Sequence, residues 1–296
     1  MAEEKTDSPQ AAIAWMLLAS AAFGSGSALV KSTAGDVGVW TVVFGRSLVI
    51  MVILLVWSRV YGASLHIGDR RLMLWRSAIG LSAMFCYFYS VQKIPLSNAV
   101  TLQYTSPLFV ALFSGAILRE RVPPLIYGCI LVSLIGTILI VSPSLEYIDI
   151  DATIALISGV FSAFAYLAVR GLRTSSSPDG IVFWFAAFCT LVSLPFAAGE
   201  LLTLELYDGL AVIGVGICAG IGQTGMTRAY HAARAAYIGA FSYATVIVGG
   251  IYGWLIFNQE LVWGDAIGAA LIVGSGALLV IRIPDEKPTK ISEHLP

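Results

Sequence analysis

Residues 97–121 read SNAVTLQYTSPLFVALFSGAILRER, a run without a charged side chain up to Leu118 that closes on Arg119, Glu120 and Arg121. As a helix rising 1.5 Å per residue, residues 97–118 would cover about 30 Å, the hydrocarbon thickness of a bilayer. Residues 236–260, AYIGAFSYATVIVGGIYGWLIFNQE, have the same form. Tyr104 and Tyr243 occupy equivalent places at an offset of 139, and Glu120 and Glu260 at an offset of 140. Outward from these stretches the register holds. Val43 and Phe44 match Val182 and Phe183, and Lys31 matches Arg170. Gly128, Leu131, Gly136 and Leu139 match Gly268, Leu271, Gly276 and Leu279. One match would be noise; a register kept across most of the chain is an internal duplication.

Composition names the solvent. The 296 residues are 58% hydrophobic and only 12% charged, with a mean hydropathy of +0.85, whereas soluble domains run near ~25% charged. Ten apolar spans are predicted, over residues 11–30, 38–57, 73–91, 97–118, 125–142, 152–169, 180–198, 209–226, 236–257 and 262–281. Each half then has five spans. An odd number forces the second half to cross the bilayer in the opposite sense, the inverted-repeat architecture of secondary transporters. The expected fold is therefore an all-α membrane protein with two inverted five-helix repeats around a central cavity. The domains are a tail at 1–10, repeats at 11–142 and 150–281, and a second tail at 282–296. Lys and Arg are retained on the cytoplasmic side. With the N-terminus on one side, 14 of the 17 basic residues share that side, Lys31 and Lys93 face the other, and Arg46 lies within the second span. The expectation is an inner-membrane, multi-pass protein with both termini cytoplasmic.

Several motifs resemble the EamA-type members of the drug/metabolite transporter superfamily. Phe44-Gly45-Arg46, Ile94-Pro95-Leu96-Ser97-Asn98-Ala99, Gln103-Tyr104-Thr105-Ser106-Pro107-Leu108 and Leu118-Arg119-Glu120-Arg121 carry the resemblance, with a weaker copy at Asn258-Gln259-Glu260-Leu261. It covers residues 11–281. It implies ten helices in two inverted repeats, a cavity lined mainly by helices 1, 3, 4, 6, 8 and 9, and transport of amino acids, nucleosides, cofactors, drugs or other metabolites. Ser47 stands where the family often has Phe, and Phe185 occupies the place of Arg46 in the second half.

The candidate site begins with Arg46, read as the one charge well inside a span. A guanidinium at that depth costs about 2.5 kcal/mol or more unless it faces protein or a wet cavity. One reading has it attract an anionic group on a substrate; the other has it snorkel and cap helix ends. Gln103, with Tyr104 and Pro107 on one helical face, is read either as a cavity wall or as a helix–helix hydrogen bond. Pro107 permits a kink that serves gating or is static. Tyr89, Tyr166, Gln223, Ser242 and Tyr243 complete the predicted substrate-binding set. Glu120 and Glu260, at equivalent places on opposite faces, are predicted gates.

The residue types exclude several classes. His66, His231 and His294 all lie in predicted loops or the tail, and neither HExxH nor GxxxxGK[ST] occurs. The four cysteines fit neither a disulfide framework nor a zinc site. The chain is thus read as a non-enzyme, without cofactor or metal, whose partners are a small-molecule substrate and the lipid bilayer. Nucleic acid is not among them, and the expected state is monomer or homodimer. Absence of a mid-span Asp or Glu points to facilitated diffusion, exchange, or coupling through acids at helix ends. The expected function is secondary transport of an amino acid or similar zwitterionic or heteroaromatic solute, with S-adenosylmethionine or riboflavin as alternatives and a receptor without transport as the rival class.

Overall fold

The computed structural model describes residues 9–117, 123–141, 150–233, 235–258 and 263–282. Among these the chain is helical, with a lone bridge between Ile67 and Ser176. In chain order the first half comprises α1 (Pro9–Ser32), α2 (Val39–Tyr61), α3 (Arg70–Lys93), α4 (Leu96–Gln103), α5 (Ser106–Ile117) and α6 (Pro124–Val141). The second comprises α7 (Ile150–Gly171), α8 (Pro178–Leu201), α9 (Leu206–Ala232), α10 (Ala235–Phe241), α11 (Ala244–Phe257) and α12 (Trp263–Arg282). Six described segments are long and apolar enough to cross a membrane: α1, α2, α7 with its 3-10 extension to Thr174, α8, α9, and Tyr237–Phe257. Their outer faces carry exposed large apolar residues, among them Val52, Ile53, Val56, Leu191, Phe196, Ile213 and Ile217. In water these would be a liability; against lipid tails they are the solvated surface.

Local chemistry sets the helix ends. The Asp69 carboxylate accepts the Leu72 amide at 2.9 Å and starts α3. Ser177 does the same for α8 through Gly180, with Pro178 at the first helical position. Gly62 ends α2 in the left-handed conformation, φ 68°, which costs glycine nothing. Lys31 donates to the Ile94 carbonyl at 2.8 Å, and its equivalent Arg170 donates to the Tyr230 and His231 carbonyls. Each basic residue thus satisfies the carboxyl end of a helix in its own half, α3 or α9.

The halves pack by exchange: α1 lies chiefly on α9, α7 on α3, α2 on α8 and α6 on α12. These pairs run antiparallel. A Cβ on Gly26 would touch Cys218 whereas one on Gly225 would touch Trp15, so α1 and α9 count in opposite directions. In the α2–α8 pair, the Gly38 amide at the start of α2 donates to Glu200 near the end of α8. At the other end, Ser177 at the start of α8 reaches the Ser64 and His66 carbonyls beyond α2.

Two spans expected to be continuous are broken. Residues 97–118 divide into α4 and α5 at Tyr104-Thr105, and residues 236–257 into α10 and α11 at Ser242-Tyr243, an equivalent place. Pro107 explains the first break, since it lacks an amide to donate to the Gln103 carbonyl and crowds it. No proline marks the second. There the Ser242 hydroxyl bonds the Gly239 carbonyl at 2.7 Å, as Thr105 bonds Leu102 at 2.8 Å. Side-chain hydroxyls compete with the helical ladder in both, and the chain falls into i−3 bonding through each turn. The exposed-backbone cost is absorbed by close approach of neighbours, as breaks at membrane depth require. Gly159 of α7 is the contact point: a Cβ there would stand 2.7–3.0 Å from Thr105 Oγ1 and from the Leu102 and Gln103 carbonyls.

Gly159→Ala must therefore push backbone, not a flexible side chain, and is expected to destabilise by about 1–3 kcal/mol. Gly250→Ala, with nothing within 4 Å of its added Cβ, should leave the protein as stable as before. Thermal unfolding of both variants in detergent checks this; equal midpoints would contradict the packing.

Candidate functional site

A cavity of ≈ 90 Å³ sits between the two halves. Its lining is paired. Phe23, Gly26, Ser27, Arg46, Arg76, Gly80 and Met84 of the first half meet Ser162, Ala165, Tyr166, Phe185, Val215, Ala219 and Gln223 of the second. In that order each pair is offset by 139 residues. The chamber thus forms where equivalent surfaces of the duplication face one another. Ala83, Tyr87, Phe88, Gln103 and Tyr104 extend the wall on the first-half side only.

The pairing is geometric, and the chemistry is not. Phe185 holds the position equivalent to Arg46, and Val215 that equivalent to Arg76, so both cations come from the first half. Arg46 is 4% and Arg76 is 2% exposed. The Arg46 guanidinium meets the Met84 sulfur and lies 5.7 Å from the Phe88 ring centre. That of Arg76 lies 3.6 Å over the Phe185 ring and donates to Gln223 Oε1 at 3.3 Å. Arg46 Nε and Arg76 Nε and Nη1 have no hydrogen-bond partner. No Asp or Glu lines the cavity, and among the described residues neither arginine makes an ion pair.

The two charges are close. Arg76 Nη1 lies 3.0 Å from where a Cβ on Gly80 would stand, and Arg46 reaches Met84, one turn further along α3. The two guanidinium groups therefore lie against neighbouring turns of α3 in the same cavity, and like charges buried in a low dielectric repel. A cation–π contact of up to about 2 kcal/mol offsets part of that repulsion for Arg76.

The polar frame around them is tied down. Gln103 Nε2 donates to Ser162 Oγ at 2.6 Å, and its Oε1 is engaged by the Ser158 hydroxyl. Gln103 is therefore both cavity wall and bridge from α4 to α7, so the two sequence readings coexist. The Ser27 hydroxyl donates to the Phe23 carbonyl, which leaves the Tyr87 hydroxyl to donate to Ser27 at 2.7 Å. Tyr166 stacks on Tyr230 at 5.5 Å and 24°.

Of the predicted site residues, Arg46, Gln103, Tyr104, Tyr166 and Gln223 line the cavity. The others are placed apart from its lining. Pro107 packs by Gly239 of α10, and Ser242 and Tyr243 form the break between α10 and α11. Tyr89 lies half-buried on α3. Glu120 and Glu260 fall outside the described residues. The reading of Arg46 as the one charge well inside a span is corrected by Arg76. Sequence placed Arg76 among the cytoplasmic bases because the third span was started at residue 73. The helix starts at Arg70, and Arg76 is carried inward as a buried side chain. Gly80, one turn on, is the signal that sequence offered: it clears the room that the guanidinium fills.

A membrane-embedded helical protein with a polar chamber shared by two equivalent halves has the layout of a solute carrier. The chain belongs to the EamA-like transporter family, whose model matches it twice, over residues 10–142 and 151–281; its relatives are transporters of the drug/metabolite superfamily. It is 31% identical to the pseudopaline exporter CntI of Pseudomonas aeruginosa, over 90% of this chain and 92% of that one. It is 25% identical to a riboflavin transporter of Vibrio cholerae, over 90% and 91%. A solved crystal structure shares the fold with a TM-score of 0.76 at 20% identity, covering 93% of this chain and 98% of the other.

Gln103→Leu would strip the Ser158 and Ser162 hydroxyls of a buried partner, at a cost of about 1–3 kcal/mol. The thermal midpoint in detergent should fall by several degrees. An unchanged midpoint would mean that the bridge contributes nothing to joining α4 and α7.

Proposed function

We propose that the chain is a secondary transporter that moves a small carboxylate-bearing metabolite, an amino acid or similar zwitterion, across the inner membrane by alternating access. The observation that carries this reading is the paired lining of the cavity, which holds Arg46 and, among the described residues, no acid to neutralise it. A site shared by equivalent halves is the arrangement in which two states of nearly equal energy exchange by rocking one half against the other. The ≈ 90 Å³ chamber is about three water volumes, well below the ~300–1,000 Å³ of an ordinary ligand site. This geometry fits a contracted state, and loading a solute would require the halves to part.

The topology we infer is ten spans in two inverted repeats, residues 11–142 and 150–281, with both termini cytoplasmic. Antiparallel pairing of α1 with α9, α3 with α7, α2 with α8 and α6 with α12 supports inversion, because parallel repeats would pair these helices in the same sense. The breaks between α4 and α5 and between α10 and α11 match the discontinuous helices that flank substrate sites in carriers of this design.

Two experiments bear on this. In proteoliposomes, the wild type should accumulate or release at least one labelled amino acid or related zwitterion, and Arg46→Ala should slow that flux tenfold or more while eluting as a folded protein. Normal flux in Arg46→Ala would remove Arg46 from the site. For topology, single cysteines at Glu120 and Glu260 in a cysteine-free background should react with an impermeant maleimide from opposite sides of the membrane. Labelling from the same side would overturn the inversion.

A further inference from the structure

We infer that the cavity selects solutes presenting two negative charges side by side, and that Arg76 is the residue that sets this preference. The inference rests on the transport reading above and narrows its substrate class. Two buried guanidinium groups share one chamber, with three of their nitrogens unpartnered. A single carboxylate can neutralise only one of them. The other would stay charged, desolvated and repelled. Two carboxylates on one small molecule, or one dianionic phosphate, would satisfy both forks, since a planar guanidinium takes either oxyanion in paired hydrogen bonds.

The two halves would hold such a solute differently. The first half contributes the cations. The second contributes Phe185 and Val215 at the positions equivalent to Arg46 and Arg76, with Tyr166 beside them. The anionic end is thus directed to α2 and α3, while rings from both halves surround the rest of the solute. Arg76 is held by Phe185 on one face and by Gln223 on its edge, so its fork is set before any solute arrives.

The test compares solutes that carry a second anionic group with partners that lack it. Purified wild-type protein is titrated with glutamate against glutamine and with phosphoserine against serine, reading thermal stabilisation and counterflow in proteoliposomes. Glutamate and phosphoserine should be favoured by tenfold or more over glutamine and serine; the better member of glutamate and phosphoserine tells carboxylate from phosphate. Arg76→Gln should abolish the preference, and Arg76→Lys, which keeps the charge but loses the planar fork, should retain only part of it. If Arg76 merely braces Phe185, Arg76→Gln lowers stability and leaves the ratio intact, which overturns the inference. Glutamine or serine carried as well as glutamate and phosphoserine would also overturn it, with the transport reading intact. Silence across the panel and across zwitterions generally would sink both.

Discussion

A positive charge buried in a protein whose outside is hydrocarbon has few ways to be stable. Water is distant, lipid is worse, and an acid of the protein is the ordinary remedy. Among the described residues, Arg46 and Arg76 have none. Aromatic faces, a thioether and one amide oxygen surround them, which holds the side chains in place without neutralising them. That leaves an electrostatic demand inside the cavity, and a ligand's anionic groups are suited to meet it. The same low dielectric that makes the pair costly makes any anion between them strongly held. The surrounding frame serves that constraint: Gln103 spans to α7, Tyr87 is pinned to Ser27, and Gly80 leaves room for a guanidinium.

Duplication explains where the chamber lies. When two similar units pack face to face, equivalent positions meet near their shared axis, and any space left there belongs to both. Residues offset by 139 line the cavity in pairs for this reason. Divergence then gave the walls different chemistry: both cations come from the first half, while rings and aliphatic groups line both sides. The stacking of Arg76 on Phe185 joins these two histories, because Phe185 occupies the place that Arg46 holds in the first half. Geometry has stayed symmetric while charge has not.

The broken spans show how local chemistry acts on a membrane helix. Pro107 is visible in sequence as a place where a helix loses a hydrogen bond. Ser242 is not, since serine within an apolar span reads as an ordinary tolerated polar residue. Only the fold reveals that both breaks sit at equivalent positions and that Gly159 approaches the first closely enough to stabilise it. Pro107, Ser242 and Tyr243 were expected to touch a solute; they shape the turns beside the chamber. Arg76 was missed for a related reason. Three residues into a predicted span, a basic side chain normally reaches back to the headgroups, and nothing in its own neighbourhood says otherwise.

What the sequence by itself determined was the solvent, the repeat and the family resemblance, because these follow from one-dimensional quantities: the length of apolar runs, the register of the duplication and a few local motifs. Arg46, Gln103, Tyr104, Tyr166 and Gln223 were legible as cavity residues because a polar or aromatic group deep in an apolar span has few other places to go. What only the tertiary structure decided was which residues become neighbours across the halves. Arg76 over Phe185, Gln223 at its edge and Gln103 between Ser158 and Ser162 are contacts between helices far apart in the chain. Burial of a charge is a property of the packed surroundings, and no window of sequence around Arg76 contains the ring that covers it.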